Sequence, residues 1–140
     1  MGMTLVYHAY FANGELNPTV ALFMVTLCAW LEFEAEELDV RNWVVDFGGM
    51  KSFKGMLEDT FDHKLVVAED DPCREQFEGM HELGMADVVI LPKAGCEAFA
   101  KYVFGAAETW LDANGYGDRV KMRLVEVKEH GANSAIYLGE

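Results

Sequence analysis

The chain has 140 residues, of which 51% are hydrophobic and 25% are charged, and its formal net charge at pH 7 is −13. A chain of this length is expected to form a single domain, residues 1–140, which buries roughly 70% of its unfolded surface. Because 24 acidic side chains outnumber 11 basic ones, most of the surface repels phosphate backbones and anionic headgroups, which argues against nucleic-acid and membrane partners.

The cysteines and the apolar segments favour a cytoplasmic protein. Cys28, Cys73 and Cys96 lack the close spacing of a disulfide framework or a Cys-x-x-Cys metal site. The first residues carry no basic segment followed by an apolar stretch, so we expect no secretory signal. The apolar run at residues 20–31 is too short to cross a bilayer as a helix.

The first third of the chain predicts strands. Residues 4–11 are rich in aromatic and β-branched side chains and precede an Asn-Gly turn signal, which is typical of a strand. Residues 19–36 begin as an apolar run and end in strict apolar–acidic alternation, which predicts a long second strand. Turn-forming residues at 39–42 precede the short apolar stretch 43–46, for which we predict a third strand and a hairpin.

Helical spacing begins after these strands. Met50, Phe53, Leu57 and Phe61 fall on one helical face, so a helix starting near residue 47 should end just before Asp62. A second helix is predicted at residues 73–84, and a brief strand at 88–91 is halted by a proline.

The longest helix and two final strands complete the prediction. Apolar side chains repeat at intervals of three and four within residues 95–113, and Asn-Gly follows at the usual place for a helix end. Strands are predicted at residues 119–129 and 134–138. Together the elements indicate an α+β fold in which helices cover one face of an antiparallel sheet.

Asp62 and His63 are candidates for proton transfer, because a carboxylate can orient a neighbouring imidazole and hold its pKa near neutrality. The alternative is a histidine at a helix end that stabilises the following turn by hydrogen bonding. His81 and His130 have no second donor at metal-ligand spacing, and both are interpreted as solvated or structural.

Four segments, residues 43–48, 61–65, 127–130 and 134–137, resemble the 6-pyruvoyl- and 6-carboxytetrahydropterin synthase family, and the similarity spans residues 32–140. The resemblance implies a T-fold, in which an antiparallel four-stranded sheet carries helices on one face. It also implies homotrimers whose sheets close a barrel, usually stacked as homohexamers, with active sites between subunits. Such closure removes exposed sheet edges.

The resemblance also implies a zinc-dependent lyase that acts on 7,8-dihydroneopterin triphosphate, in biopterin, folate-like or deazapurine pathways. Asp62 and His63 match the family's proton-transfer pair. Glu129 matches the glutamate that holds the amino-pyrimidine edge of the pterin. Cys96 and Glu97 match a small residue and a glutamate near the pterin, although Glu97 equally fits an acidic residue that stabilises a helix N-terminus.

The family's metal ligands are missing. Phe11, Phe23 and Val25 occupy the positions of its three zinc-binding histidines, and none of these side chains carries the nitrogen, sulfur or oxygen donor that zinc requires. His8 is three positions from Phe11, so strand alternation sends it to the opposite face. The family's catalytic cysteine has no counterpart at residues 12–18, and Cys28 is interpreted as a buried structural thiol.

Two hypotheses follow from this pattern. The chain either is a lyase of this family that acts on a pterin, or has lost its metal site and binds a pterin or purine, or serves a structural role, without catalysis. We therefore expect no zinc cofactor, although the family uses one.

Overall fold

The computed structural model describes the backbone of residues 3–13, 25–130 and 133–140, and the side chains of residues 3, 27–128 and 133–140. A short 3-10 turn, Phe47–Met50, precedes the first helix. The helices and strands run in the order β1 (Met3–Asn13), β2 (Val25–Ala35), α1 (Lys51–Phe61), β3 (Leu65–Ala68), α2 (Arg74–Glu82), β4 (Val88–Leu91), α3 (Cys96–Ala113), β5 (Val120–His130) and β6 (Asn133–Leu138).

Four antiparallel strands form the main sheet in the order β1-β2-β5-β6. In β2 and β5 one face is apolar, since alternate side chains of a strand point to the same side. On β2 the buried positions are Leu27, Ala29, Leu31, Phe33 and Ala35. The helices cover this face, which confirms the predicted α+β architecture.

The core lies between the sheet and α3. This helix buries one side through residues that recur every three or four positions, including Phe99, Val103 and Ala107. They pack with the buried side chains of β5, such as Val125 and Val127. No helix in the described part of the chain combines the length and the apolar character needed to cross a bilayer.

The predicted third strand at residues 43–46 is wrong. Val44 and Val45 are buried, but the segment is a loop, and its carbonyl groups are bound by a side chain rather than by a strand. The Arg119 guanidinium donates to the carbonyl oxygens of Glu37 at 2.9 Å and of Val44 at 2.7 Å. The predicted hairpin is therefore replaced by a loop that Arg119 holds against the start of β5.

Asp39 stabilises the same loop from its other end. Its carboxylate accepts hydrogen bonds from the backbone N–H groups of Arg41 at 2.8 Å and Trp43 at 2.9 Å. The Trp43 N–H is the main group that holds the pKa of Asp39 below its ordinary value. Because the folded pKa is lowered, this contribution to stability is present at neutral pH and is lost as the pH falls through that pKa.

The sequence analysis did not predict the second, smaller sheet. Residues 65–68 form β3, which pairs in parallel with β4 from Leu65↔Val88 to Ala68↔Leu91. The remaining predicted elements agree with the structure within a few residues. The first part of the predicted second strand, residues 19–24, lies outside the described residues.

Gly139 is expected to tolerate no side chain. Its N–H donates to the Arg123 carbonyl at 2.8 Å, and an added Cβ would lie 2.5 Å from the Met122 carbonyl oxygen and 3.1 Å from Phe104. The backbone carbonyl cannot yield without disturbing β5, so Gly139→Ala should lower the free energy of unfolding by about 1–3 kcal/mol. Urea denaturation followed by circular dichroism measures this change.

Gly117→Ala is the matched control for this prediction. A Cβ at Gly117 meets the Asp112 carboxylate at 2.0 Å, but this group ends an exposed side chain that can rotate away. We expect a much smaller loss of stability for Gly117→Ala. Equal losses for the two variants would contradict the backbone clash at Gly139.

Candidate functional site

Asp62 and His63 lie where α1 ends. The Asp62 N–H donates to the Glu58 carbonyl at 2.8 Å, which closes the last helical turn. His63 follows with a φ of 56°, in the left-handed region that few residues other than glycine occupy. Non-glycine residues in this region cluster at functional sites, so the conformation is an independent reason to consider His63.

The two side chains form a loose acid–imidazole pair. His63 Nε2 is 3.8 Å from Asp62 Oδ1, a distance that suits an ion pair with a protonated ring rather than a hydrogen bond. The histidine side chain is 65% exposed and the aspartate 33% exposed. A solvent-facing imidazole beside a carboxylate can take up and release protons.

Phe61 fixes this pair against α3. Its side chain is fully buried, and its ring centroid lies 5.3 Å from that of Phe99 and 5.8 Å from that of Tyr102, both in edge contacts. Such contacts are favourable geometries for aromatic rings. Since Phe99 belongs to the first turns of α3, Asp62 and His63 lie beside the N-terminal part of that helix.

The candidates Cys96 and Glu97 open α3. Gly95 precedes them with a φ of 115°, a conformation that glycine adopts without strain, and its carbonyl accepts the Phe99 N–H at 2.9 Å. Cys96 is half-buried and Glu97 is exposed. The N-cap residue is Gly95, which has no side chain to cap the helix, and the partial positive charge of a helix start favours anionic or acceptor groups.

The end of β5 lies at the same level as the start of α3. Phe104 of α3 contacts Tyr137 of β6 with ring centroids 4.9 Å apart, and Tyr137 pairs with Val125 of β5. Cys96 lies about 12 Å from Phe104 along α3, toward the start of the helix. Glu129 lies about 13 Å from Val125 along β5, in the same direction.

The two elements run antiparallel, because residues 114–119 join them by a short connection and they pack against each other. The Tyr116 N–H donates to the Leu111 carbonyl, and the Val120 N–H donates to the Tyr116 carbonyl, both at 2.8 Å. The start of α3 and the end of β5 therefore share one end of the molecule, where Phe61 also holds the end of α1.

Glu129 occupies an irregular position in the sheet. Lys128 pairs with Ser134 and His130 pairs with Asn133, so two steps on β5 match one step on β6. Glu129 is the extra residue of this bulge, and bulges of this kind re-aim side chains and are frequent beside active sites. The Glu129 side chain lies outside the described part of the structure.

The positions matched to the family's metal ligands do not fit zinc. Phe11 pairs with Leu27, and Val25 pairs with Asn13, so residues 11 and 25 are diagonal neighbours on β1 and β2. Neither residue type offers a donor atom. Phe23 lies outside the described residues. Among the side chains that the structure describes, no three His, Cys, Asp or Glu groups come together as metal ligands.

The other cysteines and histidines have different surroundings. Cys28 is half-buried on β2 and alternates with the core positions, so the expectation of a buried structural thiol is wrong. His81 Nδ1 accepts the Val88 N–H at 3.0 Å and joins α2 to β4, which supports its structural interpretation. The side chains of His8 and His130 lie outside the described residues.

Two features of this region were missed by sequence reasoning. The left-handed backbone at His63 has only a weak sequence signal, because histidine is enriched in this conformation but most histidines do not adopt it. The bulge at Glu129 has a weak sequence signal. The alternation of β5 gives way there to three consecutive polar residues, 128–130.

Sequence comparison identifies one family. A profile of 6-pyruvoyl tetrahydropterin synthase matches residues 26–140, which is most of the chain. No curated protein matches the chain significantly.

Comparison with solved structures shows a shared fold. An uncharacterized protein from Wolinella succinogenes has a TM-score of 0.78 and 19% identity, with 100% of this chain and 99% of that one covered. A Plasmodium vivax 6-pyruvoyltetrahydropterin synthase, an E37A catalytic residue mutant, has a TM-score of 0.68 and 13% identity, with 98% and 97% covered. The Caenorhabditis elegans 6-pyruvoyl tetrahydropterin synthase has a TM-score of 0.57 and 15% identity, with 100% and 96% covered.

Proposed function

Because the chain belongs to the 6-pyruvoyl tetrahydropterin synthase family, we propose that it binds and acts on a pterin, 7,8-dihydroneopterin triphosphate or a close relative. The observation that carries this proposal is the placement of the start of α3, the end of α1 and the bulge of β5 at one end of the molecule. These three places hold Asp62 with His63, Cys96 with Glu97, and Glu129.

Each residue has a chemical role in this proposal. The Glu129 carboxylate accepts two parallel N–H hydrogen bonds from the amino-pyrimidine edge, as carboxylates do from arginine. His63 accepts a proton from the substrate side chain and returns it, and Asp62 stabilises the imidazolium that forms. Cys96 and Glu97 contact the pterin from the start of α3, where Gly95 leaves the backbone open to a close approach.

A second candidate function is pterin binding without turnover. It is favoured by the residue types at positions 11, 23 and 25, which cannot hold the zinc ion of the family. A bound zinc would contribute several kcal/mol of charge stabilisation to the lyase reaction, and an imidazole alone does not replace this. In this case Glu129 still holds the pterin, while Asp62 and His63 only stabilise the turn that follows α1.

Incubation with 7,8-dihydroneopterin triphosphate distinguishes the two functions. The pterins are separated by liquid chromatography, and the zinc content of the purified protein is measured in parallel. Turnover that is lost in His63→Asn supports the lyase, and saturable binding without product supports the second function. If the protein neither binds nor converts the compound, both proposals fail.

The β6 edge of the sheet supports an oligomer. Asn133–Leu138 contains no charged residue, and Ile136 and Leu138 are 55% and 65% exposed. Natural proteins protect such edges with charges or cover them, because an open edge pairs with other chains. We therefore propose that β6 pairs with β1 of another copy, so that trimers close a barrel as the family resemblance implies.

Ile136→Lys tests this oligomer. Since Ile136 is largely exposed in one copy, the change should leave the subunit folded, while a charge on the pairing edge should lower the mass from an oligomer to a monomer. Light scattering after size-exclusion chromatography measures the mass. Val40→Lys is the control, because Val40 is fully exposed in the loop before α1. An unchanged mass for Ile136→Lys would contradict β6 pairing.

A further inference from the structure

An apolar groove of about 930 Å³ lies on the outward side of the helices. It runs along the face of α3 that is turned away from the sheet, between α1 and the segment that links β4 to α3. Its apolar lining includes Met56, Leu91, Tyr102, Ala106 and Trp110. The lining includes no residue of β1 or β6, the edge strands of the main sheet, so β6 pairing leaves the groove accessible.

The charge of the groove is opposite to that of the protein. Among the described residues, the charged side chains that line it are Lys93 and Lys101, in a chain of net charge −13. Lys93 forms an ion pair with Asp70, in which both side chains are mostly exposed. Lys101 is exposed and has no ion-pair partner among the described residues. An occupant with apolar and acidic groups complements this lining.

The two lysines lie toward the start of α3, and the opposite end of the groove is uncharged. That end is formed by Thr109, Trp110 and Ala113. The distance along α3 from Lys101 to Ala113 is about 18 Å, which is the length of about three helical turns. The groove therefore has the length of a short helix and a charge at one end.

The floor of the groove allows a helix to approach closely. Small residues recur along the outward side of α3 at Ala98, Gly105, Ala106 and Ala113. Small side chains permit interhelical distances near 8 Å. The groove is open along its length, so a bound acyl chain would leave one side in water, whereas an amphipathic helix turns a polar face outward.

We propose that this groove binds an acidic amphipathic helix of a partner protein. Apolar side chains of that helix occupy the groove over Gly105 and Ala106. Its acidic groups pair with Lys101 and Lys93. Among the described residues, α1 exposes Met56 and the end of α2 exposes Leu83, so neither presents a free apolar stripe. A second copy of this chain is therefore a poorer source of the helix.

A synthetic peptide tests the proposal. The probe is a fluorescein-labelled, helix-stapled peptide about four turns long, with leucines at i, i+3, i+4 and i+7 spacing and glutamates beside them. Binding is measured by fluorescence anisotropy. Lys101→Glu and Gly105→Leu should each raise the dissociation constant by about tenfold or more.

The variants are chosen to spare the fold. A Cβ at Gly105 meets nothing within 4 Å, so a leucine there enters the groove rather than the core. Gly79→Leu is the matched control, because Gly79 lies on α2 and its Cβ also meets open space. This control should bind the peptide like the unmodified protein, and circular dichroism checks that all variants are folded.

Three results would overturn the proposal. Equal binding of a peptide with lysines in place of the glutamates would remove the charge argument. Dodecanoate that binds in a Gly105-dependent way while the peptide does not would assign the groove to a lipid. Loss of self-association in Gly105→Leu, measured by light scattering, would assign it to a second copy.

Discussion

Replacing Glu129 by glutamine is expected to weaken binding of 7,8-dihydroneopterin triphosphate by about 10- to 100-fold, and replacing it by alanine at least as much. The proposed contact consists of two hydrogen bonds from a planar N–H pair to one carboxylate, and hydrogen bonds to a charged group contribute about 1.5–3 kcal/mol each. Glutamine keeps the shape of the side chain but loses its negative charge. Its amide NH₂ group would also face the N–H pair of the pterin, where the carboxylate offers an acceptor. Quenching of pterin fluorescence on titration measures the dissociation constant.

Glu126→Gln is the matched control for Glu129. Glu126 lies on the same strand, pairs with Ile136 and is 3.7 Å from the Lys128 ammonium group, but it lies before the bulge. Its replacement should change pterin affinity little. Equal effects at the two positions would indicate a general loss of negative charge rather than a contact. No effect at Glu129 would contradict its proposed role as the pterin anchor.

The sheet was predictable because its strands show a simple pattern. Leu31, Phe33 and Ala35 alternate with glutamates, and this period of two marks a strand with one buried face. The loop containing Val44 and Val45 was mispredicted because burial alone does not distinguish a strand from a loop. There the carbonyl groups bind Arg119, a residue 75 positions later in the chain, and local sequence does not encode such a partner.

The small parallel sheet illustrates the same limit. The segment Leu65–Ala68 has the composition of a strand, but it is only four residues long and does not alternate. Parallel pairing with Val88–Leu91 depends on the intervening helix, which brings two distant segments together. Whether a short apolar segment forms a strand therefore depends on its tertiary partner rather than on its own sequence pattern.

The candidate site was predictable in its residues but not in its geometry. The spacing of Phe53, Leu57 and Phe61 predicted where α1 ends, and hence that Asp62 and His63 follow it. The level of Glu129 relative to Cys96 depends on how β5 packs against α3, which is a property of the folded chain.

Restoring imidazoles at the three matched positions is expected to create a zinc site. The triple variant Phe11→His, Phe23→His, Val25→His should take up about one zinc ion per chain, whereas the unmodified protein should take up little. The register of β1 and β2 supports this expectation, because residues 11 and 25 are diagonal neighbours at about 7–8 Å, within reach of two imidazoles on one ion. Mass spectrometry of the metal in dialysed protein measures the content.

A shifted triple variant controls for non-specific binding by added histidines. Ala12→His replaces Phe11→His in this control, which moves one ligand by a single strand position and so to the other face of a regular strand. We expect its zinc content to be well below that of the first variant. Equal uptake by both variants, or no uptake by the first, would mean that these positions are not an inherited metal site. Stoichiometric zinc in the unmodified protein would mean that other residues hold the ion, and the lyase function would then become the stronger proposal.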